Sequence, residues 1–73
     1  MRTLNVCENL KAIRELSGFT QVELAERIGT NERSIRYFEA GLKNPSVITL
    51  MKLAKALNCS LEDITGFKFR KED

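Results

Sequence analysis

Four polar side chains within one short segment have the types and the spacing needed to read DNA bases. They are Glu32, Arg33, Arg36 and Tyr37. Steps of three and four residues bring such side chains onto one side of a helix. Arginine donates paired hydrogen bonds to guanine, and a carboxylate accepts one from the amino group of cytosine. The pattern predicts a base-reading helix face, although solvated charges on an ordinary surface helix have the same spacing.

The distribution of charge along the chain favours a polyanionic partner. The 73 residues include 12 Lys or Arg and 10 Asp or Glu, a net charge of +2. Residues 1–30 sum to zero, residues 31–55 to +3 and residues 56–73 to −1. A basic excess confined to one part of a domain is typical of a nucleic-acid surface. The cations of the central part are Arg33, Arg36, Lys43, Lys52 and Lys55.

The composition argues against several other classes of site. The chain has no histidine, so a histidine general base and an imidazole metal ligand are both excluded. Its two cysteines, Cys7 and Cys59, are too few for a four-thiolate zinc site. We therefore expect no enzyme activity, no cofactor and no metal. Without a run of about 18 apolar residues or a signal pattern, we expect a cytoplasmic protein with no membrane partner. We expect its two cysteines to be reduced and to act as small hydrophobic residues in the core or near the surface.

Glycine and proline divide the chain into five segments of helical character, which predicts an all-α fold. Gly18, Gly29, Gly41 and Gly66 are left-handed stops, and Pro45 precedes the fourth segment. Ser, Thr or Asn stands at the start of four segments as an N-cap, and Thr20 with Glu23 forms a capping box. With their caps, the predicted segments are 5–17, 20–29, 31–41, 46–58 and 60–65.

Apolar residues at helical spacing predict one side of each segment as core. The predicted inward residues are Val6, Leu10, Ile13 and Leu16; Leu24, Ala25 and Ile28; Ile35 and Phe38; Val47, Leu50, Leu53, Ala54 and Leu57; Leu61 and Ile64.

The second and third segments are short and are separated only by a turn that contains glycine. Gly29 and Thr30 lie between the second helix and the Asn31 cap of the third. This arrangement is the signature of a helix-turn-helix, in which the second of the two helices enters the major groove. The base-reading face predicted above lies on that second helix.

Several motifs, in order, resemble the phage repressor/Cro-type (Xre-like) helix-turn-helix family over roughly residues 8–65. They are Leu10-Lys-Ala-Ile-Arg-Glu-Leu16, Phe19-Thr-Gln-Val-Glu-Leu-Ala-Glu-Arg-Ile-Gly29, Ser34-Ile-Arg-Tyr-Phe-Glu-Ala-Gly41, Asn44-Pro-Ser46 and the segment from Leu50 to Leu61. The resemblance implies a compact five-helix, lambda-repressor-like DNA-binding domain over residues 1–66, followed by a short aromatic and basic tail at 67–73. It implies a transcriptional regulator that binds double-stranded DNA and acts by occupancy, either blocking polymerase as a repressor, which is the favoured interpretation, or recruiting it. We expect the regulator to bind as a homodimer and to have no small-molecule ligand.

The resemblance also assigns roles to particular positions. Glu32, Arg33, Arg36 and Tyr37 correspond to base-contacting positions. Arg14 and Glu39 correspond to an ion pair that ties the first helix to the third. The residues placed at the DNA phosphates are Gln21, Ser34, Lys43 and Asn44.

The sequence departs from the family pattern at two places. Ala40 stands where many members carry Asn or Arg, and Leu42 stands where a basic residue is common. Both departures leave open an alternative function, an antitoxin-like or adaptor module that binds protein. Lys52 and Lys55 are expected to be solvated, and Phe67 and Phe69 are expected either to cover the core or to contact a second subunit.

Overall fold

The computed structural model describes residues 6–66, whose regular secondary structure is five helices joined by turns, without a strand, which confirms the all-α prediction. The predicted tail with Phe67 and Phe69 lies outside the described residues. The helices are α1 (Val6–Ser17), α2 (Gln21–Ile28), α3 (Glu32–Ala40), α4 (Val47–Ala56) and α5 (Leu61–Thr65).

The helix ends follow the capping residues of the sequence. Thr20 Oγ1 accepts the N–H of Glu23 at 3.0 Å, and the Glu23 carboxylate accepts the N–H of Thr20 at 2.9 Å. The side chain of Asn31 accepts the N–H of Ser34 at 2.9 Å, which begins α3. Gly29 ends α2 with φ 79°, a left-handed conformation that glycine adopts without strain. The turn between α2 and α3 is therefore fixed at both sides by local hydrogen bonds.

The core takes one fully buried side chain from every helix. Burying each of these side chains contributes about 1.5–3 kcal/mol to stability. Because they all belong to one core cluster, no helix of this small domain packs independently of the others. Helix α3 packs between α1 and α2, α4 packs on α2 and α5, and α5 packs on α1. Among residues 6–66, the largest fully buried side chains are Leu10, Leu24, Ile35, Leu53 and Ile64.

Two residues predicted to face the core are exposed instead. Leu16 is 88% exposed, because the inward position of the last turn of α1 is taken by Arg14, about 200° around the helix from Leu16. Val47 is 68% exposed, since it lies at the first residue of α4 and the buried positions of that helix begin at Leu53. Both predictions were wrong because apolar spacing does not show how far the packed part of a helix extends.

The cysteines and the helix lengths can be compared with the expectations from the sequence. The thiols of Cys7 and Cys59 are half-buried. Burial raises the pKa of the Cys59 thiol, and the carboxylate of Asp63 raises it further. None of the helices between residues 6 and 66 has the length and apolar composition that crossing a bilayer requires.

The capping box of α5 predicts an acid-sensitive contribution to stability. Ser60 donates its N–H to Asp63 Oδ2 at 3.0 Å, and the hydrogen bonds from Ser60 lower the pKa of Asp63 from 3.8. This contribution is fully present above pH 3.8 and is lost as the pH falls through the lowered value. We expect Asp63→Asn to reduce stability at pH 7 and to flatten its decline between pH 5 and 2, as measured by urea unfolding. Glu26→Gln is the matched control, because that exposed carboxylate makes no hydrogen bond within residues 6–66; equal flattening in both variants would contradict the assignment.

Candidate nucleic-acid interface

Helix α3 has one buried side and one polar side. Ile35 and Phe38 are buried against α1 and α2. The four residues predicted to contact bases all lie on the exposed side, and Tyr37 among them is 38% exposed. The structure thus gathers these residues on a single surface. They are Glu32, Arg33, Arg36 and Tyr37.

The two arginines of this surface differ in their pairing. Arg36 Nη2 lies 3.7 Å from Glu32 Oε2, one helical turn away, and both side chains are about half exposed. An exposed pair of this kind contributes about 1 kcal/mol at most, so it opens at little cost when a base competes for either partner. Arg33 has no ion pair within residues 6–66. Arg33 is accordingly the strongest candidate for a direct contact with guanine.

A buried ion pair fixes the inner side of α3. Arg14 Nε donates to Glu39 Oε2 at 2.6 Å, and Arg14 Nη2 donates to Glu39 Oε1 at 3.1 Å. Arg14 Nη1 also donates to the carbonyl of Phe19 at 2.8 Å. The hydrogen bond to Glu39 raises the pKa of Arg14 against the opposing effect of burial. With side chains only 10% and 4% exposed, the pair joins α1, the α1–α2 turn and α3 at one point.

Gln21 is attached to the same pair. Its Nε2 donates to Glu39 Oε1 at 3.0 Å, so Glu39 accepts from both Arg14 and Gln21. One N–H of the amide is used in this bond, which leaves the second N–H for an acceptor outside the domain. The bond orients the side chain at the start of α2, where the sequence analysis predicted a phosphate contact.

The other three predicted phosphate ligands line one groove between α3 and α4. Ser34 is half-buried at the base of the groove, and Lys43 and Asn44 come from the loop that joins the two helices. The groove has a volume of about 390 Å³. Sequence reasoning missed Thr30, Ser46, Thr49 and Lys52, which also line it.

Only one feature of the sequence pointed to a DNA-facing role for Lys52. It belongs to the basic excess of residues 31–55, but a lysine six residues into a helix has no motif that distinguishes a groove from open solvent. Among the described residues, no cluster of three or more His, Cys, Asp or Glu side chains has the arrangement to hold a metal ion.

The sequence profile of the helix-turn-helix family HTH_3 matches residues 10–64 of the chain. An uncharacterized HTH-type transcriptional regulator of Archaeoglobus fulgidus is 38% identical over 64 residues, covering 88% of this chain and 87% of that protein. Antitoxin HipB of Escherichia coli strain K12 is 35% identical over 52 residues, covering 71% of this chain and 59% of the antitoxin.

Solved structures have the same fold. The regulator SinR in complex with DNA superposes with a TM-score of 0.75 at 29% identity, over 80% of this chain and 94% of SinR. The restriction-modification controller protein C.AhdI from Aeromonas hydrophila superposes with a TM-score of 0.78 at 27% identity, over 81% of this chain and 89% of that protein.

The buried ion pair leads to a prediction about stability. Arg14→Met leaves the Glu39 carboxylate buried without its cation, and breaking one partner of a buried pair costs about 3–5 kcal/mol of unfolding free energy. We expect urea denaturation to show a loss in this range, or a chain unfolded without denaturant. The control is Arg36→Ala, which breaks the exposed pair with Glu32 and costs under about 1 kcal/mol. Equal losses in both variants would contradict the special role of the Arg14–Glu39 pair.

Proposed function

Because the chain belongs to the helix-turn-helix family that its residues 10–64 match, we propose that it is a sequence-specific DNA-binding transcriptional regulator that reads the major groove with α3. The observation that carries the proposal is the exposed side of α3, where two arginines, a carboxylate and a phenol share one surface of a helix whose other side is buried. Repression by occupancy of a promoter is the simplest mechanism for such a domain.

Base contacts and phosphate contacts have separate sites in this proposal. Arg33 and Arg36 donate to base edges, with Glu32 and Tyr37 beside them. Gln21 and the groove residue Lys43 bind phosphates on either side of the inserted helix, which fixes its depth and register. SinR, a relative in fold, is solved in complex with DNA, which supports double-stranded DNA as the partner.

The two kinds of contact predict two different mutational effects. Arg33→Ala should cost about 1–3 kcal/mol on the preferred operator and relax specificity at one base pair, whereas Lys43→Ala should weaken all sequences alike. The operator is first selected from a random DNA pool, and affinities are then measured by electrophoretic shift on single-base variants of it. A uniform loss for Arg33→Ala would make Arg33 a phosphate contact and contradict its assignment.

Helix α4 supports the homodimer that a two-fold operator requires. Ile48 and Met51 are 67% and 55% exposed, and with Val47 they form an apolar patch within two turns of the helix. Contiguous exposed apolar side chains usually mark an interaction surface. We infer that a second copy of the chain covers this patch, which places two α3 helices on half-sites about one turn of DNA apart.

A charge placed in the patch tests the dimer. Ile48→Lys combined with Met51→Lys should convert the protein from dimer to monomer in sedimentation equilibrium, because burying two unpaired ammonium groups opposes association. Leu16→Lys is the control, since Leu16 is an equally apolar residue that is 88% exposed on α1. Dissociation by the Leu16 variant alone would place the interface on α1 instead.

A second candidate function is an antitoxin-like or adaptor module on the same fold. It is favoured by Leu42, which is 74% exposed beside the predicted phosphate ligand Lys43, and by the similarity to antitoxin HipB. A protein contact uses such a side chain, whereas a phosphate does not. Absence of a shift with any pool sequence at about 50 mM salt would reject the regulator and favour this alternative.

A further inference from the structure

A second groove lies between the end of α2 and the outer side of α4. Its floor is apolar, formed by Ile28 and Ala56, and its volume is about 470 Å³. Three cations surround this floor, and none of the residues 6–66 that line the groove is acidic. The cations are Arg27, Lys52 and Lys55.

The ion pairs formed among residues 6–66 do not neutralise these three cations. No ion pair within residues 6–66 includes Arg27, Lys52 or Lys55, whereas Arg14 and Arg36 both have carboxylate partners. The Arg27 guanidinium lies 4.9 Å from the centre of the Phe19 ring, a contact that orients the side chain without reducing its charge. Glu23 and Glu26 line a neighbouring pocket together with Arg27 but form no ion pair with it. Like charges around one groove oppose folding, so the stability of the domain does not explain why three cations line this one.

The second groove continues the groove that holds the predicted phosphate ligands. Ile28 and Lys52 line both of them. A path of cations therefore runs from Lys43 at the α3–α4 loop, through Lys52, to Lys55 and Arg27. Lys52 and Lys55 are three residues apart on α4, which places their Cβ atoms about 5–6 Å from each other on the helix surface.

We propose that Arg27, Lys52 and Lys55 form a phosphate-binding track that extends the DNA interface beyond Lys43 along one strand of the duplex. The proposal rests on the regulator function, since it assigns additional ligands to the same DNA. It also revises the expectation that Lys52 and Lys55 are only solvated.

The groove fits a phosphate backbone better than an acidic protein segment. Phosphates recur at every 3.4 Å of rise along a strand, so a row of cations in line with a first phosphate ligand meets further phosphates. A backbone contact carries no sequence information and needs no donor of fixed geometry, which suits flexible lysines. The unbroken connection to the groove that holds Ser34, Lys43 and Asn44 is the deciding observation.

Salt dependence of binding tests the track residue by residue. The slope of log K against log salt is about −0.9 per phosphate neutralised. Binding is measured by fluorescence anisotropy on the operator selected from the random pool. The slope should be less negative by about 0.9 for Lys52→Ala. It should be less negative by about 2.7 for the triple variant Arg27→Ala, Lys52→Ala and Lys55→Ala. Lys52→Arg keeps the charge and should retain the slope of the unmodified protein. The preferred operator sequence should be the same for every variant.

Lys11→Ala is the matched control, because it removes one cation from an exposed position on α1. A slope that changes as much for Lys11→Ala as for Lys52→Ala would reduce the effect to total charge and overturn the track. An unchanged slope in the triple variant would also overturn the phosphate-binding track, and would favour an acidic protein segment as the ligand of the groove. If the unmodified protein binds no DNA, the proposed function itself fails. Circular dichroism checks that each variant is folded before binding is measured.

Discussion

The buried Arg14–Glu39 pair is the interaction on which the position of the reading helix depends. It connects α1 to α3 directly, reaches the α1–α2 turn through the carbonyl of Phe19, and reaches the start of α2 through Gln21. Removing two charges from water costs several kcal/mol per ion, and only complete hydrogen bonding offsets that cost. Here each carboxylate oxygen of Glu39 accepts a hydrogen bond from Arg14, and the amide of Gln21 adds another. An apolar pair could fill the same space, but it would leave Gln21 without the acceptor that directs its amide.

Helix α3 is too short to be stable alone and depends on its contacts with the rest of the domain. It has nine residues, and isolated helices shorter than about 12–15 residues are marginal in water. Its order comes from the caps at Asn31 and Gly41 and from burial of Ile35 and Phe38. Because the buried side is packed and hydrogen-bonded, the exposed side keeps a fixed direction. Such preorganisation reduces the entropy lost when the helix enters a groove.

The sequence predicted the features that depend on neighbouring residues in the chain, and it failed where the limits of packing decide. The caps at Thr20, Asn31 and Ser46 are local hydrogen bonds, so they were predictable residue by residue. Leu16 has the spacing of a core residue but is exposed, since only the assembled helices show that Arg14 occupies that side of α1. The second groove was not predictable either. Arg27 and Lys55 lie 28 positions apart, and no periodicity connects residues that meet only because α2 packs on α4.

Different sides of helix α4 contribute to the core, to the proposed dimer contact and to the proposed phosphate track. Its inner side supplies Leu53 and Ala54 to the core, and its first two turns carry the apolar patch of Val47, Ile48 and Met51. Its remaining side carries Lys52 and Lys55 along the second groove. If the patch joins two subunits, the lysines on each subunit are held in a fixed relation to the partner, so the phosphate track and the dimer contact depend on the orientation of one helix. A change in how α4 packs on α2 would then alter half-site spacing and backbone contacts together, although the proposed base contacts all lie on α3.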